Sequence, residues 1–97
     1  MLSKYTRHKE LVEELNKIYQ QKNHDYGDSF GKTFQLLGLI SAVTRITDKY
    51  NRLVSLATGA EQQVKDESII DTLKDMANYC LMTIIELEEQ ENKINVN

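Results

Sequence analysis

A chain of 97 residues without a single proline can run in helices from end to end, because nothing in it removes a backbone donor or forces a kink. No stretch alternates apolar with polar residues in the period-2 pattern of a strand, whereas 3.6-residue periodicity occurs three times. The expected fold is therefore all-α. Helix 1, about residues 6 to 22, carries Leu11, Val12, Leu15, Ile18 and Tyr19 at the i, i+3, i+4, i+7, i+8 spacing of one apolar stripe. His8, one turn before it, reads as a packing or capping residue. Helix 2 runs from about Thr33, its N-cap, to Ala57, and it ends where Gly59 supplies a left-handed residue. Helix 3 starts near Asp66 to Ser68, favoured by acids in its first turns, and extends to about Glu91. The tail "QENKINVN" loses the periodicity and should fray.

One hydrophobic core serves this length, so residues 1–97 form a single domain. With 40% apolar and 28% charged residues and a net charge of -3, the composition is that of a globular protein. It argues against a general affinity for duplex nucleic acid. The longest apolar run, Leu36 to Val43, is far shorter than the roughly 20 residues of a membrane span. The start "MLSKYTRHKE" lacks the apolar block of a secretory signal, so a cytoplasmic location is expected. Cys80 is the only cysteine and, among Met76, Ala77, Leu81 and Ile84, reads as a buried thiol. Helices 2 and 3 each span roughly 35 to 40 Å, well beyond helix 1. An isolated chain would leave apolar surface bare, so a homo-oligomer, a dimer or tetramer, is expected.

Two charged rows stand out. A rotation of 100° per residue puts Arg45, Asp48, Lys49 and Arg52 on one face of helix 2, in line with the small residues Gly38, Ser41 and Ala42. A di- or triphosphate would satisfy both guanidinium forks and the ammonium group, and so would solvent or salt bridges. On helix 3, Glu67, Asp71 and Asp75 recur every four residues, with Asn78 on the same face. Their mutual repulsion is offset either by Mg²⁺ or by the basic row of helix 2. If the two rows meet in a hairpin, they make either a site or an interhelical ion-pair ladder.

The segment "KNHDYGDSFG", Lys22 to Gly31, is richer than a plain connector. Tyr26 or Phe30 can stack on a flat base, and Asp25, Ser29 and N–H groups around Gly27 can bind polar edges or phosphate. His24 and Asp25 are alternative metal ligands, and Phe30 is alternatively a plug under the turn. No Gly-rich phosphate loop, Cys/His cluster or nucleophile elbow is present.

The segments "DYGDSF", "RITDKYNRL" and "VKDESIIDTLKDMANY" occur in order across residues 22 to 82. Together they resemble the type-one nucleotide-modification-associated domain family, which is frequent in phages. That family looks like a divergent branch of the all-α NTP pyrophosphohydrolases, the MazG and dimeric dUTPase-like superfamily. The resemblance implies a three-helix unit with two long antiparallel helices, assembled into a helical-bundle oligomer in the host cytoplasm. It also implies Mg²⁺-dependent cleavage of a nucleoside triphosphate. The superfamily holds its metal with an E-x-x-E pair and a later E-x-x-D pair. Here the first pair corresponds to Arg45 and Asp48, so a cation replaces one ligand, and "DTLKD" supplies Asp71 and Asp75. Glu10 and Glu13 have E-x-x-E spacing but lie on helix 1, facing solvent.

By this resemblance Asp48, Asp71 and Asp75 are the catalytic acids, and Asp71, Asp75 and Glu67 the metal ligands. Arg45, Lys49 and Arg52 hold phosphates, Asp71 and Asp75 hold Mg²⁺ or sugar hydroxyls, Tyr26 and Asn78 contact the base, and Ser29 is a further ligand-binding residue. A non-catalytic protein that captures a nucleotide on the same scaffold is the alternative expectation. A structural helical assembly module is the third.

Overall fold

The computed structural model describes residues 3–59 and 68–95, and every regular element among them is a helix. There are four, α1 (Lys4–Tyr26), α2 (Ser29–Leu37), α3 (Leu39–Ala57) and α4 (Ile69–Asn95), where the periodicity led us to expect three. The all-α class stands, and its inner boundaries need correcting.

The first correction concerns the segment read as a loop. α1 begins at Ser3, whose hydroxyl accepts a bond from the Thr6 N–H at 3.1 Å, and it continues through Tyr26 instead of stopping near residue 22. Only Gly27 and Asp28 separate it from α2. Gly27 ends α1 in the left-handed region (φ 62°, ψ 45°), and its N–H donates to the Asn23 carbonyl at 2.9 Å. Asp28 is also left-handed (φ 55°), a conformation that Asp tolerates better than most residues. From there its carboxylate caps α2, accepting from the Gly31 N–H at 3.4 Å. A Cβ on Gly31 would lie 2.5 Å from that carboxylate, which explains the second glycine of the motif. Asp28, and not Thr33, is the N-cap.

The second correction is a break in the long middle helix. Gly38 adopts φ 79° and ψ -165°, outside the helical region, and its N–H closes α2 on the Phe34 carbonyl at 2.7 Å. Its own carbonyl then accepts the N–H and hydroxyl of Ser41 as α3 begins. Gly38 is a hinge between two helices and not one of a row of small residues along a single one. At the far end Thr58 and Gly59 (φ 75°) terminate α3 where expected. α4 starts at Ile69, with the Ser68 hydroxyl accepting from the Asp71 N–H at 3.0 Å. It runs to Asn95, so most of the segment expected to fray is helical, while Asp66 and Glu67 lie outside the described residues.

α3 and α4 form the most extensive helix pair. Lys49 meets Asp75 there, and toward the start of α3 Arg45 shares a cavity with the later residues Asn78, Tyr79 and Met82 of α4. The two helices are therefore antiparallel. α2 packs on both, with Phe34 fully buried, and α1 crosses α4 near Lys74 to Asn78. Two polar ties fix that crossing. The Asn78 amide donates to the Leu15 carbonyl at 3.1 Å, and Glu14 lies between Arg7 (3.3 Å) and Lys74 (3.2 Å). Hydrogen bonds from Lys74 and then Arg7 hold the Glu14 carboxyl below its ordinary pKa, and the partnership with Glu10 and Glu14 raises that of Arg7.

The core is thin. Leu15, Phe34, Ala42 and Leu56 are its buried apolar residues among those described. Thr72 and Thr83 are buried too, their hydroxyls donating to the carbonyls of Ser68 and Tyr79, one turn back. The radius of gyration, 15.7 Å, exceeds the about 13 Å of a compact domain of this size. Cys80 is exposed and not buried, because it faces away from α3, and His8 is exposed without a packing role. Among the described residues no helix is long and apolar enough to cross a membrane.

Candidate functional site

All four helices and the α1–α2 turn line a cavity of about 260 Å³. α1 contributes Tyr19, Lys22, Asn23 and Tyr26, at i, i+3, i+4 and i+7. α4 contributes Asp75, Asn78, Tyr79 and Met82, at the same spacing. Two helices that cross can each turn one such stripe toward the space between them. Asp28, Ser29 and Phe30 close one end, and Arg45 of α3 reaches in from the side.

The rings are arranged. Phe30 stacks on Tyr79 with centroids 5.9 Å apart and planes inclined by 22°, which ties α2 to α4. The Asn23 amide donates to the Tyr19 hydroxyl at 3.3 Å, and Tyr26 is 70% exposed at the rim. Of the seven aromatic residues in the chain, Tyr19, Tyr26, Phe30 and Tyr79 line this one cavity. Phe30 thus serves both as the packing residue and as part of the aromatic lining.

The charges divide unevenly. Asp75 uses one carboxylate oxygen for Lys49 at 3.0 Å and the other for Lys22 at 3.5 Å, joining α3, α1 and α4. Arg45 makes no ion pair or hydrogen bond among the described residues, although it lines the cavity. A guanidinium so placed is ready to receive an anion in bidentate fashion.

Of the residues expected from sequence, Tyr26, Ser29, Phe30, Arg45, Asp75 and Asn78 come together here, with Lys49 touching the group through Asp75. Asn78 spends one amide hydrogen on α1, so it is also a structural tie. Asp48 and Asp71 are exposed, and neither they nor Arg52 line the cavity. Glu67 lies outside the described residues. Tyr19, Lys22, Asn23, Asp28, Tyr79 and Met82 were not expected. The i, i+3, i+4, i+7 stripe on α1 would have revealed the first three, had helix 1 been carried past residue 22.

The residues described do not fit Mg²⁺. No three of His, Cys, Asp and Glu among them are grouped to hold a metal ion. Asp75, the one expected ligand in the cavity, already faces two ammonium groups, whose charge opposes a nearby divalent cation. His24 and Asp25 pair with each other at 3.5 Å on the surface, and among the described residues no third ligand stands with them.

No match at a significant level was found among curated proteins or solved structures. A family match does exist, over residues 22–87. That span holds the α1–α2 turn, Arg45 and the whole α4 stripe, and it covers well over half of the chain. The chain belongs to the nucleotide modification associated domain 1 family.

Proposed function

We propose that the cavity binds a nucleotide, holding the base among its rings and the phosphate at Arg45. The observation that carries this reading is the convergence of four aromatic side chains and an unpaired guanidinium on one cavity. A base needs flat apolar faces, and a phosphate needs a charge-assisted donor fork. At about 260 Å³ the cavity is slightly smaller than most small-molecule pockets, so it takes the base while the sugar and phosphates run along its rim past Arg45 and Lys22. The family name is in keeping with such a ligand.

Capture is the better-supported chemistry. Of the two carboxylates that line the cavity, Asp75 is paired with Lys22 and Lys49 and Asp28 caps α2, so both are poorly suited to binding metal or activating water. In the phage setting that the resemblance implies, capture without cleavage would lower the free concentration of a host nucleotide. Pyrophosphohydrolysis, the activity of the resembled superfamily, requires a metal site that Asp75 alone does not make.

Thermal unfolding with a panel of nucleosides and their mono-, di- and triphosphates, with and without Mg²⁺, tests the reading. A ligand at 100 times its Kd stabilises by about 2.7 kcal/mol. Stabilisation by nucleotides, less by the nucleosides and with no pyrophosphate released, is the expected result. Release of pyrophosphate on adding Mg²⁺ would make the protein a hydrolase. No stabilisation by any member of the panel would leave the structural-module reading in possession.

A further inference from the structure

The charges on the cavity wall are few, and each can be followed to its partner. Lys22 and Arg45 line the cavity, and Lys49 reaches it through Asp75. Two carboxylates, of Asp28 and Asp75, face these three cations. Asp75 is taken up by Lys49 at 3.0 Å and Lys22 at 3.5 Å, whereas Asp28 makes no ion pair among the described residues. One oxygen of Asp28 accepts from the Gly31 N–H at 3.4 Å, a bond that holds the carboxylate in place without neutralising it. The N-terminus of α2 offsets at most about half of that charge.

Three cations against two carboxylates leave the wall with a single positive charge, on a chain whose net charge is -3. Lys22, Arg45 and Asp28 are all exposed, so their charges stand at the mouth, where the phosphate end of a guest lies while the base lies deeper. A phosphate monoester carries about -1.5 to -2 at neutral pH, and each further phosphoryl group adds about one more. One phosphate is therefore matched by the fork of Arg45 with help from Lys22. A second or third meets no further cation on the wall, because Lys49 is held behind Asp75, and it adds repulsion from Asp28.

We infer that the cavity selects a nucleoside monophosphate over the di- and triphosphate, and that Asp28 is the residue that sets this limit. The inference rests on the nucleotide reading above and adds to it the length of the phosphate chain. Arg45 supplies the attraction and Asp28 the rejection, and specificity is the difference between the two. The fold does not ask for a charge at position 28. Asn caps a helix and tolerates the left-handed region as well as Asp does, so the turn would form with either. The carboxylate adds only its charge, and that charge faces the mouth of the cavity.

Calorimetry on the full chain tests this, with the deoxynucleoside mono-, di- and triphosphates of each of the four bases as probes and a chelator present. For the bases that bind, the monophosphate should bind about threefold or more tighter than the triphosphate, and the gap should narrow as added salt screens the repulsion. Asp28→Asn should bring the two affinities about threefold closer by strengthening the triphosphate more than the monophosphate, with unchanged helical circular dichroism. Glu13→Gln makes the same change in net charge at an exposed position outside the cavity, and should leave the ratio as in the wild type. A triphosphate that binds as tightly as the monophosphate, or more tightly, would overturn the inference and leave the nucleotide reading intact. An unaltered ratio in folded Asp28→Asn protein, or an equal shift in Glu13→Gln, would overturn it by removing Asp28 as the cause. Should Asp28→Asn fail to fold, the wild-type ranking and its salt dependence decide. Binding of none of the probes would overturn the inference and the nucleotide reading together.

Discussion

The two ends of the cationic row on α3 differ in their fate. At one end Arg45 points into a cavity between α1, α2 and α4, and Lys49 is held by Asp75. At the other end the neighbouring charges Asp48, on α3, and Asp71, near the start of α4, lie exposed, and Arg52 lies outside the cavity. The same residue types at the same helical spacing give a concave site only where a third helix adds a wall. Two helices bring opposite charges together, but a pair of cylinders leaves no enclosed space. α1 and the turn after it supply that space, together with two of the four rings.

Disrupting the walls should have the largest effect. Phe34→Ala should cost about 3–5 kcal/mol of stability in denaturant titration, because this fully buried ring seats α2 on the hairpin. A loss below 1 kcal/mol would mean that α2 is not fixed there. Next comes the guanidinium itself. Arg45→Ala should weaken nucleotide binding about tenfold or more by calorimetry, as expected for a lost charge-assisted bond, while Arg52→Ala stays close to wild type. Equal losses in the two variants would erase the contrast between the ends of the row.

A smaller effect is expected at the turn. Gly31→Ala pushes the Asp28 carboxylate from its capping position and should lower stability by about 1 kcal/mol, with nucleotide binding falling in parallel. Smallest is the effect at the α1–α4 crossing. The folded-state pKa of Glu14 is depressed, so its stabilisation is fully present above the ordinary carboxylate pKa of about 4.5 and is lost as pH falls through the lower folded value. Glu14→Gln should therefore lower stability slightly in the neutral range, match the wild type in strong acid, and so flatten the acid limb of the stability curve. An identical acid limb in the variant would remove Lys74 and Arg7 as the cause.

Helical class and the antiparallel pairing of α3 with α4 were legible from periodicity, and the two charged rows that touch at Lys49 and Asp75 from their spacing, whereas α1, expected to be the short helix, is longer than α3. The family was legible from three short motifs. The break at Gly38 was not, since a glycine inside an apolar helical run is compatible with either a helix interior or a hinge, and only its positive φ separates the two. The length of α1 was hidden for a similar reason. His24, Asp25 and Gly27 resemble loop composition, yet the first two are tolerated in a last helical turn, and the glycine ends it. Cys80 was misread because its apolar neighbours suggested a core, whereas they form a second apolar side of the same helix. Six of the residues lining the cavity, Phe30 among them, could be named in advance because they carry charge or sit in a motif. Tyr79 could not, because a tyrosine on an apolar stripe gives no sign of what its ring faces.

The two-residue connection at Gly27 and Asp28 has a consequence for recognition. With so little slack, the last turns of α1 and the first turn of α2 move as one piece, so the rings they carry stay at a fixed separation before any guest arrives. Little ordering entropy is then charged against association, and shape discrimination falls on a rigid mould instead of a closing lid.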